Sequence, residues 1–418
     1  MVFVLAIVAA RSGQAQTLSV LHTFTGGEGG ESPASLIRNA DGDLYGATNH
    51  GGVPGSCRAA GCGVVFKVDK TGNATVLHSF AFPFSEEDGA HPSGALVLDP
   101  LGNLYGTTEF GGTSENCFDP ETLFRFGCGT AFKRDKTGEE TVLYSLGGSP
   151  DGANVLAGLV RDAKGNLYGA TFTGGNENNN CPFGCGVVFK LDQTGKETVL
   201  YRFTGTNGDG ANPAALVLDR KGNIYGTTFY GGSGTCHHAN PVAFGTGEGC
   251  GTVFKLDKTE KETVLYSFNG TDGANPPTGG LVFDSEGNLY GTTNYGGTGT
   301  CNDGNGLGCG TVFKLDTADK ETVLHSFTEN GDGTYPCCYS LVRDAMGNLY
   351  GTTIFGGTSN IGTVFKLDKT GEETVLYSFT GGSDGAFPVG LVRDPKGNLY
   401  GVASGGFSNF GTVFRLTE

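Results

Sequence analysis

Residues 341–379 read L-V-R-D-A-M-G-N-L-Y-G-T-T-I-F-G-G-T-S-N-I-G-T-V-F-K-L-D-K-T-G-E-E-T-V-L-Y-S-F. Four runs rich in Val, Leu, Tyr, Phe and Thr stand in this stretch, each bounded by Gly, Asp or Asn. That is the pattern of short strands separated by tight turns. We label them strand a (L-V-x-D), strand b (G-N-L-Y-G-T-T), strand c (G-T-V-F-K-L-D) and strand d (E-T-V-L-Y-S-F). D-x-x-G-N joins a to b, and D-K-T-G or a relative joins c to d. One unit is therefore predicted to be a four-stranded antiparallel meander.

The unit recurs along the whole chain. Strand b is marked by Tyr45, Tyr105, Tyr168, Tyr225, Tyr290, Tyr350 and Tyr400, and strand c by Phe66, Phe132, Phe189, Phe254, Phe313, Phe365 and Phe414. Strand d follows strand c in the first six units only. The seventh unit ends with its strand c, and its missing strand d stands at the other end of the chain as L-S-V-L-H-T-F, Leu18 to Phe24. An open solenoid needs a cap at each end. A chain whose first strand completes its last unit closes on itself. The expectation is an all-β, seven-bladed β-propeller of four-stranded blades, closed by the N-terminal strand. A right-handed β-helix, the structural alternative, would use shorter and more regular coils.

Composition agrees. Gly supplies 75 of 418 residues, which argues against a helical protein because each Gly disfavours a helix interior by about 1 kcal/mol. The glycines have no three-residue period, so collagen is excluded. Net charge is −16, and a phosphate-binding face would need to be basic, so nucleic acid is excluded as a partner.

The combination Y-G-T-T, G-G, G-T-V-F-K-L and L-Y-S-F in tandem resembles the GloVer-type (Gloeobacter–Verrucomicrobia) repeats of secreted bacterial proteins, over nearly the whole chain from Leu18 to Leu416. Strands a and b are also similar, more weakly, to NHL-type propeller repeats. The resemblance implies a secreted bacterial protein. Members of the family often carry a C-terminal anchoring segment; none follows the last blade here, so no anchor is expected.

Residues 1–10 are apolar, and Arg11 is followed by the small-residue stretch S-G-Q-A. This reads as the core and cleavage site of a signal peptide, residues 1–15, although a basic start is missing. Residues 16–418 are then one propeller domain, placed outside the cell, at its surface or in the periplasm, with no transmembrane segment. The twelve cysteines suit an oxidising compartment.

Ten of them fall in the only part of the unit that varies in length. The distance from the strand b Tyr to the strand c Gly runs 18, 24, 18, 26, 20, 12 and 11 residues, and the five longer b–c loops each hold two cysteines. The expected bridges are Cys57–Cys62, Cys117–Cys128, Cys181–Cys185, Cys236–Cys250 and Cys301–Cys309. Two cysteines per loop do not supply the four ligands of a structural zinc site. Cys337 and Cys338 are adjacent, and either a vicinal disulfide or two thiols fits them.

In such a blade the b–c and d–a connections emerge on one face. That loop-rich face is the expected binding site, because loops vary while the frame stays fixed. The D-G-A or D-G-T segments at Asp88, Asp151, Asp209, Asp272, Asp332 and Asp384 read as turns. No cofactor is expected; a calcium role for the acidic loops is conceivable, but no D-x-D-x-D-G ligand series is present. The recurring strand c Lys, such as Lys67 and Lys133, is expected to pair with a strand d acid such as Glu140. His22, His78 and His325 replace the strand d Tyr and read as scaffold. His50, His91, His237 and His238 fall in predicted loops. His237 and His238 are adjacent within the longest loop and are the candidate binding residues of that face. No catalytic motif appears. The leading expectation is a secreted, non-catalytic binding or surface-scaffold protein for an extracellular carbohydrate or protein. The alternative is a propeller lyase or hydrolase acting on extracellular polysaccharide or a lactone.

Overall fold

The chain winds into seven four-stranded antiparallel sheets, the blades of a β-propeller. The computed structural model describes residues 16–54, 57, 60–81, 88–117, 126–178, 180–236, 249–301, 308–329, 331–337, 341–406 and 410–417; the proposed signal peptide lies outside them. Blade 4 shows the unit at full length, with strands a to d at Gly210–Leu218, Ile224–Gly231, Thr252–Leu256 and Glu262–Ser267. Strand a is innermost: that of blade 1, Glu31–Arg38, packs against strands a and b of blade 7. The ring closes as the sequence predicts. Thr17–Thr23 pairs with Thr412–Thr417 as the outer strand of blade 7, with Leu18 opposite Leu416 and Val20 opposite Phe414.

The repeated residues account for the geometry. In the a–b turn of blade 2, Asp99 accepts the main-chain N–H groups of Leu101 and Asn103, both at 2.9 Å, the side-chain amide of Asn103 at 2.8 Å and the Tyr105 hydroxyl at 3.2 Å. One carboxylate thus explains most of D-x-x-G-N-L-Y. The glycine after the Tyr answers to the strand c Phe. A Cβ on Gly291 would lie 2.5 Å from the Phe313 ring, and one on Gly106 equally close to Phe132.

That same Phe forms the seam between blades. The residue ending strand d inserts against the next blade's strand c Phe, edge to face. The centroid distances are 5.3 Å for Phe80–Phe132, 5.0 Å for Phe203–Phe254, 5.1 Å for Phe268–Phe313 and Phe327–Phe365, and 5.3 Å for Phe379–Phe414. Phe24–Phe66, at 5.0 Å, repeats the contact across the closure. Such pairs contribute about 0.5–1.5 kcal/mol beyond burial, which itself gives about 1.5–3 kcal/mol per ring.

The expected Lys–Glu pairs do not form. Strand c Lys133 lies opposite Thr141, and Glu140 is one residue further on. Successive residues of a strand point to opposite faces, so Lys and Glu part company. Lys67 instead bonds Asp43 at 2.6 Å. The strand c lysines also cover the strand b tyrosines, with Lys255 5.3 Å from the Tyr225 ring and Lys366 5.5 Å from Tyr350. The Glu side chains turn to the preceding blade.

Candidate ligand-binding site

The b–c and d–a loops share one face and are bonded to one another, for example Gly112 N–H to the Asp88 carbonyl (2.9 Å) and Gly232 N–H to the Asp209 carbonyl (2.8 Å). The D-G-A aspartates brace this face as turn acceptors. Asp151 receives the Gly147 N–H at 2.7 Å and the Tyr144 hydroxyl at 3.0 Å. All five intraloop bridges are formed: Cys57–Cys62, Cys117–Cys128, Cys181–Cys185, Cys236–Cys250 and Cys301–Cys309.

The bridges have a function that the spacing did not disclose. Just before or at the start of each strand a stands a residue in the left-handed region: Ser32, His91, Asn154, Asn212, Asn275, Tyr335 and Phe387, with φ between 54° and 58°. Each donates its N–H to a main-chain carbonyl of the preceding blade's b–c loop. In five cases that carbonyl belongs to the second bridged cysteine: His91 to Cys62 (2.8 Å), Asn154 to Cys128 (3.0 Å), Asn212 to Cys185 (2.7 Å), Asn275 to Cys250 (2.8 Å) and Tyr335 to Cys309 (2.9 Å). In the two unbridged loops Ile361 holds Phe387 at 2.9 Å and Phe410 holds Ser32 at 2.8 Å. The signal lay in the sequence, since proline follows six of the seven residues. For Asn and His this conformation is tolerated, but for Tyr and Phe it costs about 1–3 kcal/mol, and such outliers concentrate at functional sites.

Since strand a is innermost, these seven residues ring the channel mouth on the loop-rich face. They alternate with the residues near the end of strand b. Along blades 5 to 7 the alternation is aromatic throughout: Tyr295 to Tyr335 (5.3 Å), Tyr335 to Phe355 (5.8 Å) and Phe355 to Phe387 (5.5 Å). Phe355 is 39% exposed, among the more exposed large apolar residues described. A second arc spans blades 1 and 2, with His50 to His91 at 4.9 Å and His91 to Phe110 at 5.5 Å. Between the arcs, on blades 3 and 4, Phe172 meets Phe229 (6.2 Å) and Phe229 meets the buried Tyr230 (4.8 Å). Asn212 and Asn275 are buried, donating side-chain amides to the carbonyls of Phe172 (2.6 Å) and Phe229 (2.7 Å).

Burial, with His50 adding to it, holds His91 down at about 4, so its imidazole is neutral at pH 7. Burial pushes the neighbouring Glu109 carboxyl up to about 7. His50 ends strand b of blade 1 rather than lying in a loop, opposite Glu31. The blade-to-blade meeting of His50 and His91 could not be read from one unit. His237 and His238 lie outside the described residues, as does Cys338. Cys337 is disulfide-bonded.

The Gloeobacter/Verrucomicrobia repeat matches three segments, residues 7–126, 121–298 and 240–418. The chain belongs to this repeat family. Among curated protein sequences none matches it. Solved structures similar to this repeat-family chain are propeller proteins. A streptogramin B lyase has a TM-score of 0.60 at 14% identity, covering 97% of this chain and 99% of its own. A catalytically inactive histidine-to-alanine variant of virginiamycin B lyase from Staphylococcus aureus, with quinupristin, has a TM-score of 0.60 at 14% identity over 96% and 99%. The extracellular domain assigned to a hybrid two-component system of B. thetaiotaomicron has a TM-score of 0.56 at 10% identity, over 95% of this chain and 39% of that one. At these identities the likeness is one of fold. No helix among the described residues is long and apolar enough to cross a membrane.

Proposed function

We propose that this protein is a secreted, non-catalytic binding propeller whose ligand, a carbohydrate, is held at the loop-rich mouth of the channel. The observation that carries this reading is the arc Tyr295–Tyr335–Phe355–Phe387. Two of its members, Tyr335 and Phe387, are kept in a strained backbone conformation. Apolar surface flanked by a few fixed polar groups is the general make-up of a small-ligand site, and sugar rings offer C–H faces that lie flat on aromatic rings. The five disulfides suit an oxidising compartment. A glycan array probed with the mature protein tests this. Binding weakened at least tenfold by Phe355→Ala and by Tyr335→Ala, in variants that keep the wild-type circular dichroism, supports it. Absence of any glycan binding, or binding indifferent to both substitutions, overturns it.

A second reading rests on the contact of His50 with His91 beside Glu109. Paired imidazoles at a channel mouth are residue types that lyases and hydrolases use for proton transfer. The mature protein would then release product from polysaccharide or lactone substrates, and His91→Ala would abolish release while leaving binding at the aromatic arc.

A further inference from the structure

At the rim of the propeller, opposite in radius to the mouth, each seam from blade 1 to blade 6 assembles the same kind of triad. The fifth residue of strand d and the D-G-A or D-G-T aspartate of one blade meet the glutamate that opens strand d of the next. Where the first is Tyr, its hydroxyl bonds the aspartate, as in Tyr144–Asp151 at 3.0 Å and Tyr266–Asp272 at 2.6 Å. At the seam of blades 1 and 2 the Tyr is replaced by His78. Its Nε2 stands 3.5 Å from Asp88 Oδ1 yet makes no hydrogen bond, although the atom is fully buried. Glu140 Oε1, from blade 2, is likewise buried and without a partner. Asp88 is fixed between them, 8% exposed, and receives the N–H groups of Ala81 (2.9 Å) and Gly89 (2.8 Å). One ligand atom from each of the three lies within 4.8 Å of the others.

We propose that His78, Asp88 and Glu140 bind one divalent transition-metal ion of the zinc class, clamped across the seam of blades 1 and 2. One imidazole nitrogen and two carboxylate oxygens are a donor set for such an ion. Calcium is disfavoured because it takes six to eight oxygens. Metal–ligand bonds of about 2.0–2.2 Å place neighbouring ligands about 3–3.5 Å apart. The His78–Asp88 separation already meets that, and side-chain rotation of about 1 Å by Glu140 closes the set. The ion would replace the proton of the His78 imidazole, whose charge is what otherwise faces Asp88 and the half-buried Glu140. A carboxylate has about four acceptor sites, so Asp88 can ligate while keeping its two N–H bonds.

The molecule contains its own control. His325, Asp332 and Glu373 repeat the residues at the seam of blades 5 and 6, with His325 Nε2 3.3 Å from Asp332 Oδ2. There Asp332 stands as close to its histidine, and His325 Nε2 and Glu373 Oε1 are likewise buried without a hydrogen bond, but Thr328 donates both its N–H (3.2 Å) and its hydroxyl (3.1 Å) to the aspartate. Among the described residues only the first seam gathers three ligand atoms.

The test uses the full mature chain stripped with a chelator and titrated with zinc chloride by calorimetry, with thermal unfolding in parallel. The expected result is one equivalent bound and a melting point raised by about 3 °C or more when zinc exceeds its Kd a hundredfold. His78→Tyr installs the residue that four other seams carry, so the variant folds, and it should lose both effects. Glu140→Gln should lose them too, and His325→Tyr should keep them. Overturning results are no binding at 100-fold molar excess of zinc, an equivalent that survives His78→Tyr, or loss in His325→Tyr alone.

Discussion

Replacing Gly291 by Ala puts a methyl group where the ring of Phe313 already sits. The added carbon would lie 2.5 Å from Phe313 Cζ, 2.7 Å from its Cε1 and 2.9 Å from Leu281 Cδ2. Ordinary carbon contacts are about 3.5–4.0 Å, so the overlap with the ring is about 1 Å. Phe313 has no free direction, being 0% exposed and stacked on Phe268 of the preceding blade. Overpacking of this kind costs about 1–3 kcal/mol. Against it stands the reduced freedom of the unfolded chain, about 0.4–1 kcal/mol in favour of Ala. The clash wins, leaving about 1–2 kcal/mol of destabilisation. Calorimetric scans should show a melting point lowered by about 1–2 °C. Phe313→Leu removes the ring atoms in the way, so the double variant should be no less stable than Phe313→Leu alone, a coupling of about 1 kcal/mol or more. A Gly291→Ala protein as stable as the parent, or strictly additive effects in the double variant, would refute the fit of Phe313 to this glycine.

Deleting Leu18 to Phe24 should leave blade 7 three-stranded, with an open edge and without the Phe24–Phe66 contact. Size exclusion should then show aggregation and calorimetry a lower melting point. Mild reduction should preserve the β circular dichroism while making the b–c loops sensitive to protease. It should weaken binding at the mouth, because the cysteine carbonyls that hold His91, Asn154, Asn212, Asn275 and Tyr335 are then less fixed. Tyr335→Asn puts a residue that tolerates the left-handed region in place of one that does not, so stability should hold or rise by up to about 1 kcal/mol while glycan binding falls. Burial pushes Glu140, Glu197, Glu262, Glu321 and Glu373 up to about 7 from 4.5. The folded state then holds more protons than the unfolded between those values, so stability should fall as pH rises from about 4.5 to about 7. Melting points across that range should decline, and a protein with all five replaced by Gln should show a flatter profile.

The fold was legible because every strand is short, punctuated and repeated. Seven copies of Y-G-T-T and G-T-V-F-K-L or close variants leave little freedom in the count, and Leu18 to Phe24 could complete only one blade. Within a unit the cysteines were legible too, since each pair sits in one loop. What escaped was whatever passes between units. Lys133 and Glu140 look like cross-strand partners along the sequence, but their opposite faces meet different blades. His78 read as a scaffold substitution because its companion Glu140 lies in another repeat, 62 residues on. His50 and His91 are separated in the same way. The aromatic arc could be suspected only from the residue ahead of each proline, a position that looks like turn punctuation until its backbone angle is known.

The left-handed residues of the mouth are all held through their main chain, and only the three asparagines add side-chain bonds. Each N–H is received by a carbonyl next door, so the frame takes no notice of which side chain is presented, provided the backbone angle is met. The exposed ones among these seven places can therefore be rewritten one at a time without retuning the blades beneath. A surface of this construction is a keyboard: aromatic keys on blades 5 to 7, imidazoles on blades 1 and 2. The uneven layout also gives the opening a compass direction that the sevenfold frame lacks. A ligand longer than one ring diameter would settle in a single orientation, its apolar end over Phe355.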